Sequence, residues 1–113
     1  MTTRDHELIA LTTEAMLEHH DGAIIVHGTD TLERTGEACY KRMQQSSSFN
    51  GPIVFTGAMR PYELRSTDAL QNLTEALVAV QILPPGVYVA MHSQVLSFPG
   101  VTKDRVNLCF VKN

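Results

Sequence analysis

A chain of 113 residues with 43% hydrophobic and 19% charged side chains has room for one hydrophobic core and is neither disordered nor fibrous. Its formal charge of −3 comes with scattered basic residues, so no footprint for nucleic acid or an anionic membrane is present. No apolar run approaches the roughly 20 residues that cross a bilayer, the N-terminus is polar unlike a signal peptide, and Cys39 and Cys109 in apolar neighbourhoods fit a reducing cytoplasm.

The first periodic segment, residues 3–20, predicts a helix capped by Thr2 or Thr3. Its apolar stripe is Leu8, Leu11 and Ala15, with Ile9 and Met16 alongside. After the Asp21-Gly22 break, Ala23 to Val26 predicts a short strand buried on both faces. A second helix is expected over about 31–46, with Asp30 and Glu33 at capping-box spacing and Leu32, Cys39 and Met43 on one face with Thr35 or Gly36. Asn50-Gly51 is a turn, and Pro52 to Thr56 a second strand that Gly57 ends. Beyond a Met59-Arg60-Pro61 loop, a third helix over about 67–82 carries Leu70, Leu73, Leu77 and Val80 as a stripe. Pro84-Pro85-Gly86 stops it, and Val87 to Met91 forms a third buried strand. Gln94–Ser97 and Asn107–Val111 are short strand-like pieces around Pro99-Gly100, expected as a hairpin at the sheet edge.

Alternation of strands and helices at this spacing predicts a single α/β domain: a parallel sheet with flanking helices, Rossmann-like and three-layered. Ligands in such folds collect where strands end and helices begin. That rule selects His27 to Thr31, Thr56 to Pro61 and His92 to Gln94. In the first, Gly28 permits a tight backbone and Asp30 stands at a helix N-terminus, where negative charge is favoured. The five residues alone fit a helix cap as well as a reactive loop. His19 and His20 sit side by side at a helix end without a carboxylate partner motif, which gives surface histidines and no metal site. Ser46 to Ser48 is a connector.

Read together, Asp21-Gly22-Ala23-Ile24-Ile25-Val26-His27-Gly28-Thr29-Asp30-Thr31-Leu32-Glu33 resembles the second active-site signature of the bacterial-type L-asparaginase family. The resemblance continues in order through Pro52 to Pro61, Arg65-Ser66-Thr67-Asp68-Ala69 with Asn72, Pro85 to Met91, and Val101-Thr102-Lys103. It is greatest to the short, single-domain asparaginase-like proteins. The fold it implies is the asparaginase N-terminal domain, and the activity is hydrolysis of an asparagine-type side-chain amide to carboxylate and ammonia. No cofactor and no metal are implied; the implied partners are the small amide substrate and further copies of the chain.

By the same resemblance Thr29, Asp30 and Lys103 match the family's catalytic Thr-Asp-Lys cluster, with Gly28, Thr29 and Asp30 against substrate. The lysine amine orients or activates the threonine hydroxyl, while the aspartate holds both and accepts the substrate's α-ammonium group. A lysine acts as a base only where desolvation or nearby positive charge favours its neutral form. Without the resemblance, Lys103 is a solvated loop lysine beside Asp104 and Arg105. Four departures stand beside the matches. The sequence has no Gly-Gly, and so no Thr-Gly-Gly-Thr-Ile segment carrying the family's first nucleophilic threonine; the Asp-Ser substrate-carboxylate motif is also missing. Ala69-Leu70 replaces a Gly/Ala-Pro, and His92-Ser93 stands where Asn-Gly is common. The domain is therefore expected to be N-terminally incomplete. An alternative function follows, that of a truncated relative without catalysis, serving as a small-molecule-binding or oligomeric scaffold.

Overall fold

The computed structural model describes residues 2–45, 49–59 and 68–112; Ser46 to Ser48, Arg60, Pro61 and Arg65 to Thr67, named above, lie outside them. Helix α1 (Thr3–Leu17) begins at a capping box: Asp5 N–H donates to Thr2 Oγ1 at 3.3 Å, and Thr2 N–H to the Asp5 carboxylate at 2.8 Å. Strand β1 (Ala23–Val26), helix α2 (Leu32–Gln45), strand β2 (Pro52–Thr56), helix α3 (Ala69–Ile82) and strand β3 (Gly86–Met91) follow in alternation. Strand β4 (Gln94–Ser97) then turns back, and β5 (Val101–Asp104) and β6 (Cys109–Lys112) complete the order.

Among the described residues the main sheet has the order β1-β2-β3-β4. The first three strands are parallel, with Ala23 beside Ile53 and Ile53 beside Val87, while β4 is antiparallel, Met91 facing Gln94. Strand β2 is buried along its whole length, as its unbroken apolar run requires. Ile53 and Phe55 point into a core with Ala10, Leu17, Leu32 and Cys39, under α1 and α2. Val54 points the other way, onto Ala76 and Ala79 of α3. The domain is thus three-layered, and each fully buried Phe, Ile or Val contributes roughly 1.5–3 kcal/mol by leaving water.

Four expectations need correction. Strand β1 is an edge, not a doubly buried strand, and Val26 is 70% exposed. In α1 the buried face is His6, Ala10, Thr13 and Leu17, whereas Leu8, Leu11, Ala15 and Met16 face solvent. The polar members are tolerated inside because Thr13 Oγ1 donates to the Ile9 carbonyl at 2.8 Å and His6 bonds Thr35. In α3 the buried face is Asn72, Ala76 and Ala79, not the leucine stripe, since small side chains bring the helix close to the sheet. The C-terminal strands, finally, are divided. Strand β4 joins the main sheet, and the separate hairpin is β5–β6, with Val101 facing Lys112.

Candidate active site

The loop after β1 leaves the sheet at His27, whose N–H donates to the Thr56 carbonyl at 2.9 Å. Thr29 follows as a buried residue and Asp30 as an exposed one. Gly57 in the neighbouring strand's loop must be glycine, because a Cβ there would lie 2.2 Å from the His27 carbonyl oxygen. On the other side, Gly100 turns the chain into β5 with φ of 87°, a conformation that favours glycine, and its N–H donates to Glu37 Oε1 at 2.7 Å. Alternation along β5 then puts Lys103 on the same side as the buried Val101.

The result joins residues 74 apart in sequence. Lys103 Nζ donates to Thr29 Oγ1 at 2.9 Å and to Asp30 Oδ1 at 2.8 Å, with the lysine side chain only 7% exposed. It is therefore an enclosed lysine rather than a solvated one. The carboxylate of Asp30 is 80% exposed and also receives Arg105 Nη1 at 3.0 Å. The hydrogen bond and charge of Lys103, followed by those of Arg105, hold the Asp30 carboxyl below its ordinary value of 3.8. Glu33 uses its carboxylate to accept the Lys103 N–H at 3.3 Å, so both acids of the capping-box spacing turn toward this strand.

All three predicted catalytic residues come together, while the neighbouring cleft of about 520 Å³, lined by Gly28 with Val26, Thr56, Ala58, Leu70 and Leu73, includes none of the three. A cleft of similar size, about 540 Å³, runs between α1 and α2 and includes neither Thr29, Asp30 nor Lys103. The loop after β3 serves a different cluster. His92 Nε2 meets Asp68 Oδ2 at 2.6 Å, and Asn72 Oδ1 accepts the His92 N–H at 3.0 Å. His19 and His20 are exposed, as expected. Both cysteines are free thiols, and burial pushes the Cys39 thiol up to about 12, so it is chemically quiet. Among the described residues no cluster of three metal-ligating side chains occurs, and no helix is long and apolar enough to cross a membrane.

Sequence reasoning missed Arg105 and Glu33 as partners of the cluster. It also missed the buried contact of His6 and His27 with Thr35. For Arg105 the proximity to Lys103 was the available signal; for His6 the signal was its place on the 6/10/13/17 face.

A mixed sheet with helices on both faces, whose first strand-to-helix loop brings Thr29 and Asp30 against Lys103 of β5, defines a three-layer α/β domain with a composite polar site. Residues 1–108 match the family profile "Asparaginase, N-terminal", and the chain belongs to the asparaginase family, of which it spans the N-terminal part. It is 36% identical over 98 residues to the probable periplasmic L-asparaginase of Haemophilus influenzae, covering 84% of this chain and 27% of that protein. It is 34% identical over 89 residues to a glutamyl-tRNA(Gln) amidotransferase polypeptide of Methanococcus vannielii, covering 75% and 20%. Among solved structures, the thermostable L-asparaginase of Thermococcus kodakarensis superposes with a TM-score of 0.84 at 28% identity, covering 99% of this chain and 34% of that one. The chain thus spans about a fifth to a third of these relatives.

Proposed function

We propose that this domain carries the activating half of an asparaginase-type amidohydrolase site, with Thr29, Asp30 and Lys103 as its catalytic residues. The reaction is addition of water to a side-chain amide, releasing a carboxylate and ammonium. The observation that carries this reading is the Lys103 ammonium bridging Thr29 Oγ1 and Asp30 Oδ1 across 74 residues of chain. Loss of one ammonium proton would turn Nζ from donor to acceptor toward the Thr29 hydroxyl, which is the geometry of an activated oxygen. Asp30, open to solvent, keeps carboxylate capacity for the α-ammonium group of an amino-acid substrate, and Gly28 and Thr29 complete that contact. Because Asp30 is not shielded from water, its grip on an ammonium group is weak in this domain alone.

A second reading rests on Lys103 Nζ standing as donor to both Thr29 Oγ1 and Asp30 Oδ1, an arrangement that holds a ligand without activating the hydroxyl. In it the same three residues bind aspartate-like ligands without turnover, and the chain acts as a binding or oligomeric scaffold. Self-association fits both readings, because β1 leaves one sheet edge open. His27 directs its N–H to β2, so by alternation the backbone groups of Ile24 and Val26 point outward. A cytoplasmic setting is consistent with the two free thiols.

Ammonia release from asparagine and glutamine, side by side with calorimetric binding of aspartate, decides between the readings. The first expects turnover that falls by about 10²-fold or more in Thr29→Ala and Lys103→Ala, the range of an essential acid–base group. Aspartate binding without turnover in the wild-type chain selects the scaffold, and neither binding nor turnover removes both.

A further inference from the structure

His6 of α1, Thr35 of α2 and His27 at the end of β1 are each more than nine-tenths buried, and they form one continuous chain of polar contacts. His6 Nδ1 meets Thr35 Oγ1, and Thr35 Oγ1 meets His27 Nε2 at 2.8 Å. His27 Nδ1 lies 2.7 Å from the Gly28 carbonyl oxygen. The two imidazoles are stacked, 6.3 Å apart and 15° from parallel. The directions along this chain follow from valence. A carbonyl oxygen only accepts, so His27 Nδ1 carries a hydrogen. With both rings neutral, His27 Nε2 is then an acceptor and must take the Thr35 hydroxyl proton. The Thr35 oxygen, having given its one hydrogen away, accepts from His6 Nδ1–H. One loose end remains: His6 Nε2 is a bare lone pair, and it is the buried side-chain atom among the described residues that finds no partner.

We propose that His6, Thr35 and His27 are a positioning relay for the Thr29–Asp30 loop, fixing His27 as the Nδ1–H tautomer so that it clamps the Gly28 carbonyl. Gly28 needs such a clamp. A Cβ at this position would meet nothing within 4 Å, so packing does not hold the loop there. The hydrogen bond from the ring sets the peptide that leads into Thr29, and thereby the aim of its hydroxyl at Lys103. None of the three residues touches the reacting atoms. The proposal extends the functional reading above, because positioning matters only if Thr29 and Asp30 meet a ligand.

Nitrogen-15 spectra of the full chain labelled in histidine test the relay without reference to activity. Both His6 and His27 are expected as Nδ1–H tautomers, with Nε2 of His27 bonded and Nε2 of His6 unbonded. An Nε2–H tautomer at His27 would overturn the proposal. Thr35→Val keeps the shape and removes the hydroxyl, whereas Thr35→Ser restores it. Aspartate affinity is expected to fall about tenfold in the valine variant, which leaves both the His27 Nε2 acceptor and the His6 Nδ1–H donor unpaired, and to return in the serine variant. The His27 Nε2 resonance should move with it. Unchanged affinity and an unchanged His27 resonance in Thr35→Val would equally sink the relay. If the valine variant does not fold, the wild-type tautomers still decide. Failure of the wild-type chain to bind aspartate counts against the functional reading alone, and the tautomers then judge the relay separately.

Discussion

At the scale of single residues, burial and hydrogen bonding decide how the ionisable groups behave. Burial, then the nearby charges of His27 and Arg34, push the His6 imidazole below its ordinary value of 6.5, with Asp5 opposing weakly. The unfolded chain therefore binds a proton at His6 that the folded chain resists. Stability is fully present above pH 6.5 and is lost as pH falls from there toward the lower folded value. Thermal melting across that window should show this loss, and His6→Gln should flatten it; an equal slope in both proteins would contradict the assignment. Asp5, Asp30 and Asp104 are all held low by donors and act only in more acid solution, below their ordinary 3.8. How much of the site was legible follows the same division. The His27-Gly28-Thr29-Asp30-Thr31 loop could be picked out because hydroxyls and a carboxylate crowd one strand end. Lys103 could not be picked out from its surroundings, because its neighbours Asp104 and Arg105 are those of a solvated residue, and only the family resemblance placed it. His6 was missed because the stripe of large apolar residues pointed to the other side of α1, although its spacing to Ala10, Thr13 and Leu17 set it on the buried face.

At the scale of elements, periodicity and turn chemistry placed the segments well except for β5 (Val101–Asp104), which was read as loop, while the faces of α1 and α3 were not predicted. Strand β2 occupies Pro52–Thr56, as its apolar run and bounding glycines require. Helices α1 and α3 instead bury mostly Ala, Thr, His and Asn, with Leu17, and expose Leu8, Leu11, Leu70 and Leu77. A stripe of large apolar residues shows that a helix has a preferred side, but close approach to a sheet selects small ones. The polar residues enter only because partners outside the helix await them, and periodicity cannot see those. Helix α2 obeyed its pattern, and Gly36 shows why its packing is tight. A Cβ on Gly36 would fall 2.1 Å from the ring of Phe98, itself 4% exposed. Gly36→Ala gains up to about 1 kcal/mol of backbone entropy in a helix interior but overpacks the ring by roughly 1–3 kcal/mol. A net loss of about 1–2 kcal/mol is expected in urea unfolding; a more stable variant would show that Phe98 can yield.

The whole molecule is organised by its open side. One edge of the sheet is β1, with Val26 exposed, and Leu70 of α3, which lines the same cleft as Val26, is exposed as well. An open strand edge next to apolar side chains is a template for further pairing. Light scattering should therefore find the wild-type chain associated, and Val26→Lys should shift it toward monomer, since an edge lysine resists strand addition. A monomeric wild type would show that the edge is inert. The site itself straddles two sheets. Thr29 and Asp30 stand on the loop after β1 of the main one, but Lys103 arrives on the β5–β6 hairpin, which among the described residues shares no strand pairing with it. The hairpin is moored by Val101 and Phe110 in the core, by bonds from Gly100 to Glu37, Lys103 to Glu33 and Lys112 to Ser97, and by the contacts of Lys103 and Arg105 with Thr29 and Asp30. Local opening of this small unit would withdraw the lysine while leaving the sheet intact. Any ligand that needs Lys103 in place must then stabilise the docked hairpin by its own binding, by about 2.7 kcal/mol at a hundredfold excess over its dissociation constant. Assembly of the site and retention of the ligand are in this sense one equilibrium.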